Sequence, residues 1–182
     1  LEPTSGPRHA RALVERAKGY DTVIALGGDG VIHEAANGLM ARPADRRPVL
    51  GVLPVGSGND YARTLGMASN LEKACAQLLA AVPQAVDVGC VNGSWFVETL
   101  SFGLDAAIAL DTIERRARTG RTGTALYMEA GFDQLLHHLD SYSYELSLDG
   151  APPVAGRSII FAVQLGPYYG GGFKVCPDSR LD

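Results

Sequence analysis

The alternation of apolar and polar residues is most regular between residues 22 and 41. Residues 23–26 are apolar and predict a buried strand, which ends in the turn Gly27, Gly28, Asp29 and Gly30. Apolar residues then recur at helical spacing, which predicts an amphipathic helix with one face made of Ile32, Ala35, Ala36, Leu39 and Met40. Strand, glycine turn and helix together predict a place where a ligand can approach the backbone closely.

A second unit of the same kind follows along the chain. Residues 49–53 predict another buried strand, residues 54–60 a second glycine-rich turn, and residues 61–65 a short helix. A capping box at Ser69 and Glu72 predicts the start of a helix over residues 71–82, and a further helix is predicted over residues 7–18. Residues 1–86 are therefore predicted to form a parallel α/β domain.

The pattern changes near residue 87. Asn92 and Gly93 predict a hairpin between strands over residues 86–91 and 95–101. Helices are predicted over residues 105–118 and 124–139, and a strand pair over 143–148 and 158–165, followed by a strand over 173–176. We predict that residues 87–182 form a second, β-rich and antiparallel domain with two inserted helices.

Composition narrows the class of protein. The 182 residues are 46% hydrophobic and carry a net charge of −4, so the chain can bury a core and is not expected to bind nucleic acid. No apolar run approaches the roughly 20 residues that span a bilayer. The three cysteines are far apart and are interpreted as small buried hydrophobic residues in a reducing, cytoplasmic compartment: Cys75, Cys90 and Cys176.

The two glycine turns are the candidate site. If their strands are neighbours, the turns meet and form one phosphate cradle to which the Ser57 hydroxyl could donate. Asp29 is exposed between glycines, so it is either a helix N-cap or a group that meets Mg²⁺ or a ribose hydroxyl. Asp60 and Asn59 are either caps or further site groups, and Asp87 is either a strand-edge carboxylate or a third acid of a shared metal site.

These residues resemble a known family. GGDGVIHEAANGL followed by LPVGSGNDYARTLG is similar to the catalytic domain shared by diacylglycerol kinases, sphingosine kinases and bacterial lipid kinases. The resemblance continues through Asp87-Val-Gly89, Ser101-Phe-Gly103, Gly170-Gly-Gly172 and Pro177. It implies nucleotide-binding positions at Thr4, Gly27, Gly28, Asp29, Gly30, Val31, Glu34, Gly56, Ser57, Gly58 and Asn59. It implies catalytic acids that organise Mg²⁺ through water at Asp29, Asp60 and Asp87.

The resemblance also implies a fold and a reaction. The fold is an α/β nucleotide domain similar to those of phosphofructokinases and NAD kinases, followed by a β-sandwich domain that is partial here. The reaction is transfer of the γ-phosphoryl group of ATP, with Mg²⁺, to a hydroxyl of diacylglycerol or a related lipid. The protein would reach this lipid by binding peripherally to the membrane surface. Missing sandwich strands supplied by another copy would make the protein a homo-oligomer.

Some positions depart from the family pattern. Val31 replaces the usual Thr after GGDG, which removes a hydroxyl donor. The family's opening strand is expected before Leu1, and its general-base Glu is expected beyond residue 182. Two alternatives stay open: an NAD kinase-like enzyme, which shares GGDG, and a nucleotide-binding regulatory protein without turnover.

Two further groups of residues have ordinary explanations beside functional ones. Arg115, Arg116, Arg118 and Arg121 either face an anionic membrane or form a solvated helix face. Tyr168 and Tyr169, just before the triple glycine, either line a lipid entrance or pack at a turn.

Overall fold

The computed structural model describes residues 1–181, except for the side chain of Thr124. The chain forms two compact units, one made of Leu1–Thr99 together with the segment from Gln164 onward, the other of Leu100–Val163. The predicted domain division between residues 86 and 87 stays a prediction about the whole protein. The α/β class is confirmed, with parallel strands early in the chain and a β-rich later part.

The elements are numbered here in chain order. The first half contains α1 (His9–Arg16), β1 (Thr22–Gly27), α2 (Asp29–Met40), a 3₁₀ turn (Ala44–Arg46), β2 (Val49–Pro54), α3 (Asp60–Thr64) and α4 (Leu71–Ala80). The remainder contains β3 (Gly89–Val91), β4 (Ser94–Phe96), β5 (Thr99–Gly103), α5 (Leu104–Thr119), α6 (Thr124–His137), β6 (Tyr142–Leu146), β7 (Val154–Ser158), β8 (Ile160–Gln164), β9 (Tyr168–Tyr169) and β10 (Phe173–Lys174).

The core of the first unit lies between α2 and the β1–β2 pair. The two strands are parallel and in register from Thr22 opposite Val49 to Gly27 opposite Pro54. The predicted apolar face of α2 is buried in this core, with Ile32 fully buried, except for Met40, which is only half-buried. Removing such side chains from water is the main favourable term in folding, so this core stabilises the β1–α2–β2 unit. Both glycine turns follow directly from its strands and are held in position by it.

Three local predictions are corrected in this unit. The cap of α4 is Asn70, whose Oδ1 accepts the N–H of Lys73 at 3.0 Å, and not Ser69. A capping box at Ser69 would have used the N–H of Glu72, whereas Asn70, one position later, accepts the N–H of Lys73. The helix ends at Ala80, and Cys90 is exposed while Cys75 and Cys176 are half-buried, so the cysteines are not core residues.

The first predicted hairpin is present, although its second strand, predicted over residues 95–101, is divided into β4 and β5. Asn92 and Gly93 both have positive φ, as a two-residue turn between β3 and β4 requires. The turn at Asp149 and Gly150 leads to β7, which pairs with β6, so pairing of residues 143–148 with 158–165 is wrong. The sequence of β7, VAGRS, has weak strand propensity, which concealed it. Within residues 1–181, no helix is long and apolar enough to cross a membrane.

The arginine run joins the two helices of the second unit. Arg115 on α5 pairs with Asp111 at 2.8 Å and reaches across to Glu129 and Asp133 on α6 at 3.2 and 2.5 Å. Arg121 pairs with Glu129 at 2.9 Å. These two arginines therefore join α5 to α6 and do not form the solvated helix face predicted for them, whereas Arg116 and Arg118 are exposed.

Candidate functional site

The two glycine turns meet, as the sequence predicted. The N–H of Val55 donates to the carbonyl of Gly27 at 3.1 Å, which extends the β1–β2 pairing into the turns. A Cβ atom added to Gly56 would lie 2.3 Å from the Cα of Gly28, and one added to Gly28 would lie 3.0 Å from the Cα of Gly56. No side chain fits between these backbones, so both positions require glycine.

Asn59 holds the second turn in shape. Its Oδ1 accepts the N–H of Gly56 at 2.9 Å, and its Nδ2 donates to the carbonyl of Gly56 at 2.8 Å. The residue has φ of 56°, a left-handed conformation that Asn tolerates better than most residues. The side chain therefore stabilises the turn itself and does not cap α3. Ser57 is exposed at the tip.

Asp29 connects the two turns. Gly28 is the N-cap of α2 and Asp29 is the first residue of the helix. The alternative that Asp29 is the N-cap is therefore wrong. Its Oδ1 accepts the N–H of Tyr61 at 3.1 Å. Its Oδ2 faces the second turn, since a Cβ atom on Gly58 would lie 2.9 Å from it. One carboxylate oxygen is thus used to orient the group, and the other faces the space that Gly58 leaves open.

Asp60 lies beside Asp29 and is buried. Its Oδ1 pairs with Arg63 at 2.8 Å and its Oδ2 accepts the N–H of Gly171 at 2.7 Å. Burial raises the pKa of Asp60, and the nearby charge of Asp29 raises it further, although the Gly171 amide and Arg63 oppose the change. The structure therefore brings two of the three predicted acids together.

The triple-glycine loop is the third side of the site. Gly171 donates to Asp60, and a Cβ atom on Gly58 would lie 3.7 Å from the Cα of Gly171. A Cβ atom on Gly172 would lie 3.0 Å from the guanidinium of Arg63, which itself sits 5.4 Å from the ring centre of Tyr168. The triple glycine was part of the family resemblance. Nothing in the sequence indicated that it packs against the glycine turn at Gly58.

Glu98 is a site residue that the sequence analysis missed. It is 9% exposed and lines a cavity of about 220 Å³ with Asp29, His33, Asp60, Tyr168 and Gly170 among others. Burial raises the pKa of Glu98 to about 7, with the charges of Asp60 and Asp29 adding to the effect. The only signal in the sequence was an acid in an otherwise apolar run, FVETL, where a core strand would carry none.

Other predicted positions are placed differently. Glu34 accepts the N–H groups of Arg8 at 2.7 Å and Ala10 at 3.0 Å, so its carboxylate fixes the start of α1. Thr4 is exposed in the segment before that helix. Asp87 is exposed and lies outside the set that lines the cavity, and its N–H donates to the carbonyl of Leu181 at 2.9 Å. Their predicted roles stay predictions.

The start of α2 leaves amides without helical partners. The first backbone bond of the helix runs from the N–H of Val31 to the carbonyl of Gly28 at 3.0 Å, so the N–H groups of Asp29 and Gly30 precede it. A Cβ atom on Gly30 would meet no atom within 4 Å, so this position is open. Val31 packs against the core, and a Cβ atom on Gly27 would lie 2.7 Å from it.

Comparison with known proteins identifies the family. The model of the family described as "Diacylglycerol kinase catalytic domain" matches residues 1–91, which contain both glycine turns. The chain belongs to this family.

Named relatives agree with that assignment. The chain is 35% identical over 164 residues to a diacylglycerol kinase of Bacillus subtilis (90% of this chain, 52% of the relative). It is 31% identical over 179 residues to a Yersinia pestis protein named "Probable lipid kinase YegS-like" (95% of this chain, 58% of the relative). A diacylglycerol kinase structure from Bacillus anthracis matches 98% of this chain and 57% of its own, with a TM-score of 0.75 and 27% identity. The chain thus spans little more than half the length of these proteins.

Proposed function

We propose that the protein is an ATP-dependent lipid kinase that transfers the γ-phosphoryl group to a lipid hydroxyl. The observation that supports this most strongly is the contact between Gly28 and Gly56, which exposes backbone directly beside the Asp29 carboxylate. Membership of the diacylglycerol kinase catalytic-domain family supports the same reaction class. Diacylglycerol or a related lipid is the proposed acceptor.

The glycine turns fit the phosphates of ATP. The N–H groups of Asp29 and Gly30 precede the first hydrogen bond of α2 and lie at the positive end of its dipole, which suits an anionic phosphate. Side chains are excluded at Gly28, Gly56 and Gly58 by backbone or by Asp29, so a phosphate could approach the main chain closely. Since the Val31 N–H is used inside the helix, it would contribute little to this contact.

The acidic pair fits Mg²⁺ held partly through water. Within residues 1–181, no three His, Cys, Asp or Glu side chains are grouped so as to hold a metal ion. Mg²⁺ commonly keeps several waters and uses one or two carboxylates beside phosphates, so Asp29 and Asp60 would be sufficient. Asp29 Oδ2 would be the nearer contact, and Asp60 would act through water because both its oxygens already have partners. Bound there, Mg²⁺ would neutralise charge that develops on the transferred phosphoryl group.

The residues of this chain would mainly position the reactants. The Tyr61 amide holds Asp29 in one orientation, and the Gly171 amide with Arg63 does the same for Asp60. Phosphoryl transfer gains most from such fixed charges and dipoles, which need no reorganisation during the reaction. Asp87 is proposed to assist from the edge of the site, and the general base is proposed to be a Glu outside residues 1–182.

The cellular setting follows from the proposed substrate. A lipid acceptor would bring the protein to a membrane surface, and ATP and free cysteines fit the cytoplasm. We therefore propose a cytoplasmic protein with peripheral membrane contact and no nucleic acid partner.

The test is a transfer assay with radiolabelled ATP on the full-length protein. Vesicles containing diacylglycerol, phosphatidylglycerol, a sphingoid base or a polyprenol would be offered separately, with NAD as a further acceptor. Label in one lipid product supports the proposal. Label in NADP would identify an NAD kinase-like enzyme, and nucleotide binding without any transfer would identify a regulatory protein.

A further inference from the structure

One carboxyl oxygen of Glu98 has no hydrogen-bond partner of ordinary geometry among the described residues, although the Tyr168 amide lies near enough to the carboxyl to lower its pKa. Glu98 Oε1 accepts the hydroxyl of Thr64 at 2.7 Å, whereas Oε2 is buried and has no hydrogen-bond partner of ordinary geometry within residues 1–181. The side chain is more than nine-tenths buried and faces the cavity shared with Asp29 and Asp60. A buried oxygen without a partner is destabilising, so it is normally matched by something that binds.

The surrounding residues make room for this carboxyl. A Cβ atom on Gly166 would lie 2.3 Å from Oε1 and 2.4 Å from Oε2 of Glu98. The backbone carbonyl of Glu98 accepts the N–H of Leu165 at 2.8 Å, which fixes the residue next to that glycine. Thr64 orients one oxygen and Gly166 leaves space for both, so the carboxyl has a defined position.

The charge of the cavity restricts what can bind to the free oxygen. Asp29, Asp60 and Glu98 are all acids, so an anionic group such as a phosphate would be repelled from this wall. The Mg²⁺ proposed above would be held at Asp29 Oδ2, which leaves Glu98 Oε2 for a different group. A hydroxyl group is neutral, fits a small space and can donate to a carboxylate.

We infer that Oε2 of Glu98 binds a hydroxyl group of a ligand in this cavity, making Glu98 a specificity-determining residue. The inference rests on the proposed function, because both hydroxyl sources, the ribose of the nucleotide and the acceptor alcohol, are substrates of a lipid kinase. A carboxyl with a pKa near 7 occurs in both protonation states at neutral pH, and a hydroxyl can donate to one and accept from the other.

The test measures binding to the full-length protein by calorimetry with matched pairs of probes. One set is ATP with 2′-deoxy-ATP and 3′-deoxy-ATP, and the other is dioctanoylglycerol with 1,2-dioctanoyloxypropane, which lacks the hydroxyl. We expect removal of one hydroxyl to weaken binding at least about tenfold, as expected for a hydrogen bond to a charged group. A loss in the nucleotide set identifies the ribose, and a loss in the lipid set identifies the acceptor.

Variants connect that loss to Glu98. Glu98→Met removes both carboxyl oxygens and leaves no group that could donate to or accept from a hydroxyl, so the preference for the hydroxyl probe should fall to within about twofold. Gly166→Ala should do the same by displacing the carboxyl. Glu114→Met, the same substitution at an exposed position on α5, should keep the preference.

Two outcomes overturn the inference. One is wild-type protein that binds every hydroxyl probe no more tightly than its deoxy partner. The other is a folded Glu98→Met variant that keeps the full preference. Because both are binding measurements, they decide the role of Glu98 even if the transfer assay finds no kinase activity.

Discussion

Two groups of charged residues in this chain are built in opposite ways. In the second unit, Arg115 is surrounded by Asp111, Glu129 and Asp133, and hydrogen bonds to the arginines lower the pKa of Asp111 and Glu129. In the first unit, Asp29, Asp60 and Glu98 share a cavity, and burial raises the pKa of Asp60 and Glu98. The charges around Arg115 neutralise one another within the fold. The acids around Asp29 are not neutralised in this way, so they remain able to interact with a ligand.

That difference separates structural from functional charge. Paired charges at a helix–helix contact contribute modest stability and are satisfied without a ligand. Acids that raise one another's pKa are unfavourable for the fold alone, and such groups cluster at functional sites. The comparison therefore predicts that neutralising an acid in the first unit changes function, while neutralising one in the second changes stability.

The largest expected effect is at Asp29. Asp29→Asn should reduce lipid phosphorylation at least about 100-fold, because it removes one fixed charge beside the proposed phosphate position. The fold should persist, since Asn can still accept the Tyr61 N–H through its side-chain oxygen. Initial rates of radiolabel transfer by the full-length protein measure the effect.

The matched control is Asp111→Asn in the second unit. It makes the same chemical change within the Arg115 group, so the rate should stay within about twofold of wild type. Equal losses in both variants would contradict the distinction between the two groups.

The next largest effect is at Gly58. A Cβ atom there would lie 2.9 Å from Asp29 Oδ2, so Gly58→Val should block the cradle and weaken ATP binding at least about tenfold. Titration calorimetry with ATP measures it. Gly131→Ala is the control, because the nearest atom to its Cβ would be Ile108 Cδ1 at 3.9 Å and no loss of affinity is expected. Unchanged affinity in a folded Gly58→Val protein would rule out the cradle.

A smaller effect concerns the pH dependence of stability at Glu98. The folded pKa, about 7, is above the ordinary value of 4.5, so the native state binds the extra proton between these values. Its stabilising contribution is complete below pH 4.5 and is lost as pH rises through about 7. Glu98→Gln does not titrate, so its free energy of unfolding relative to wild type should rise across this range.

Chemical denaturation across the same pH range measures this difference. The control Glu114→Gln should follow the wild-type curve. A relative stability of Glu98→Gln that does not change with pH would mean that the carboxyl titrates normally in the folded protein.

The smallest effect is at Arg115. Arg115→Met should lower the melting temperature by about 2–4 °C at low salt, because it removes the pairs that join α5 to α6. The difference should shrink in about 1 M salt, where exposed pairs are screened. A loss that is independent of salt would indicate packing of the side chain and not its charge. ATP affinity should not change.

The elements around the glycine turns could be predicted because their signals are local. The 3.6-residue spacing of Ile32, Ala35 and Leu39 and the parallel pairing of two apolar runs are enough to bring Gly28 and Gly56 together. The positive φ of Asn92 and Gly93 is likewise a property of two adjacent residues.

Contacts between distant parts of the chain could not be predicted. The bond from the Gly171 amide to Asp60 joins residues 111 positions apart, and the position of Glu98 depends on Thr64 and Gly166 together. The motif that places Glu34 at the nucleotide, a role that stays a prediction, gave no sign of its hydrogen bonds to the N–H groups of Arg8 and Ala10. A motif indicates which residues recur in a family and does not say which backbone each one touches.

The central claim is that the glycine turns bind the phosphates of ATP beside Asp29. The most direct measurement is a crystal structure of the full-length protein with Mg²⁺ and a non-hydrolysable ATP analogue. We expect phosphate oxygens within about 2.7–3.2 Å of the Asp29 or Gly30 amides, and a metal-bound water or the metal itself at Asp29 Oδ2. A nucleotide bound elsewhere, with the space between Gly28, Gly56 and Gly58 filled only by solvent, would contradict the account.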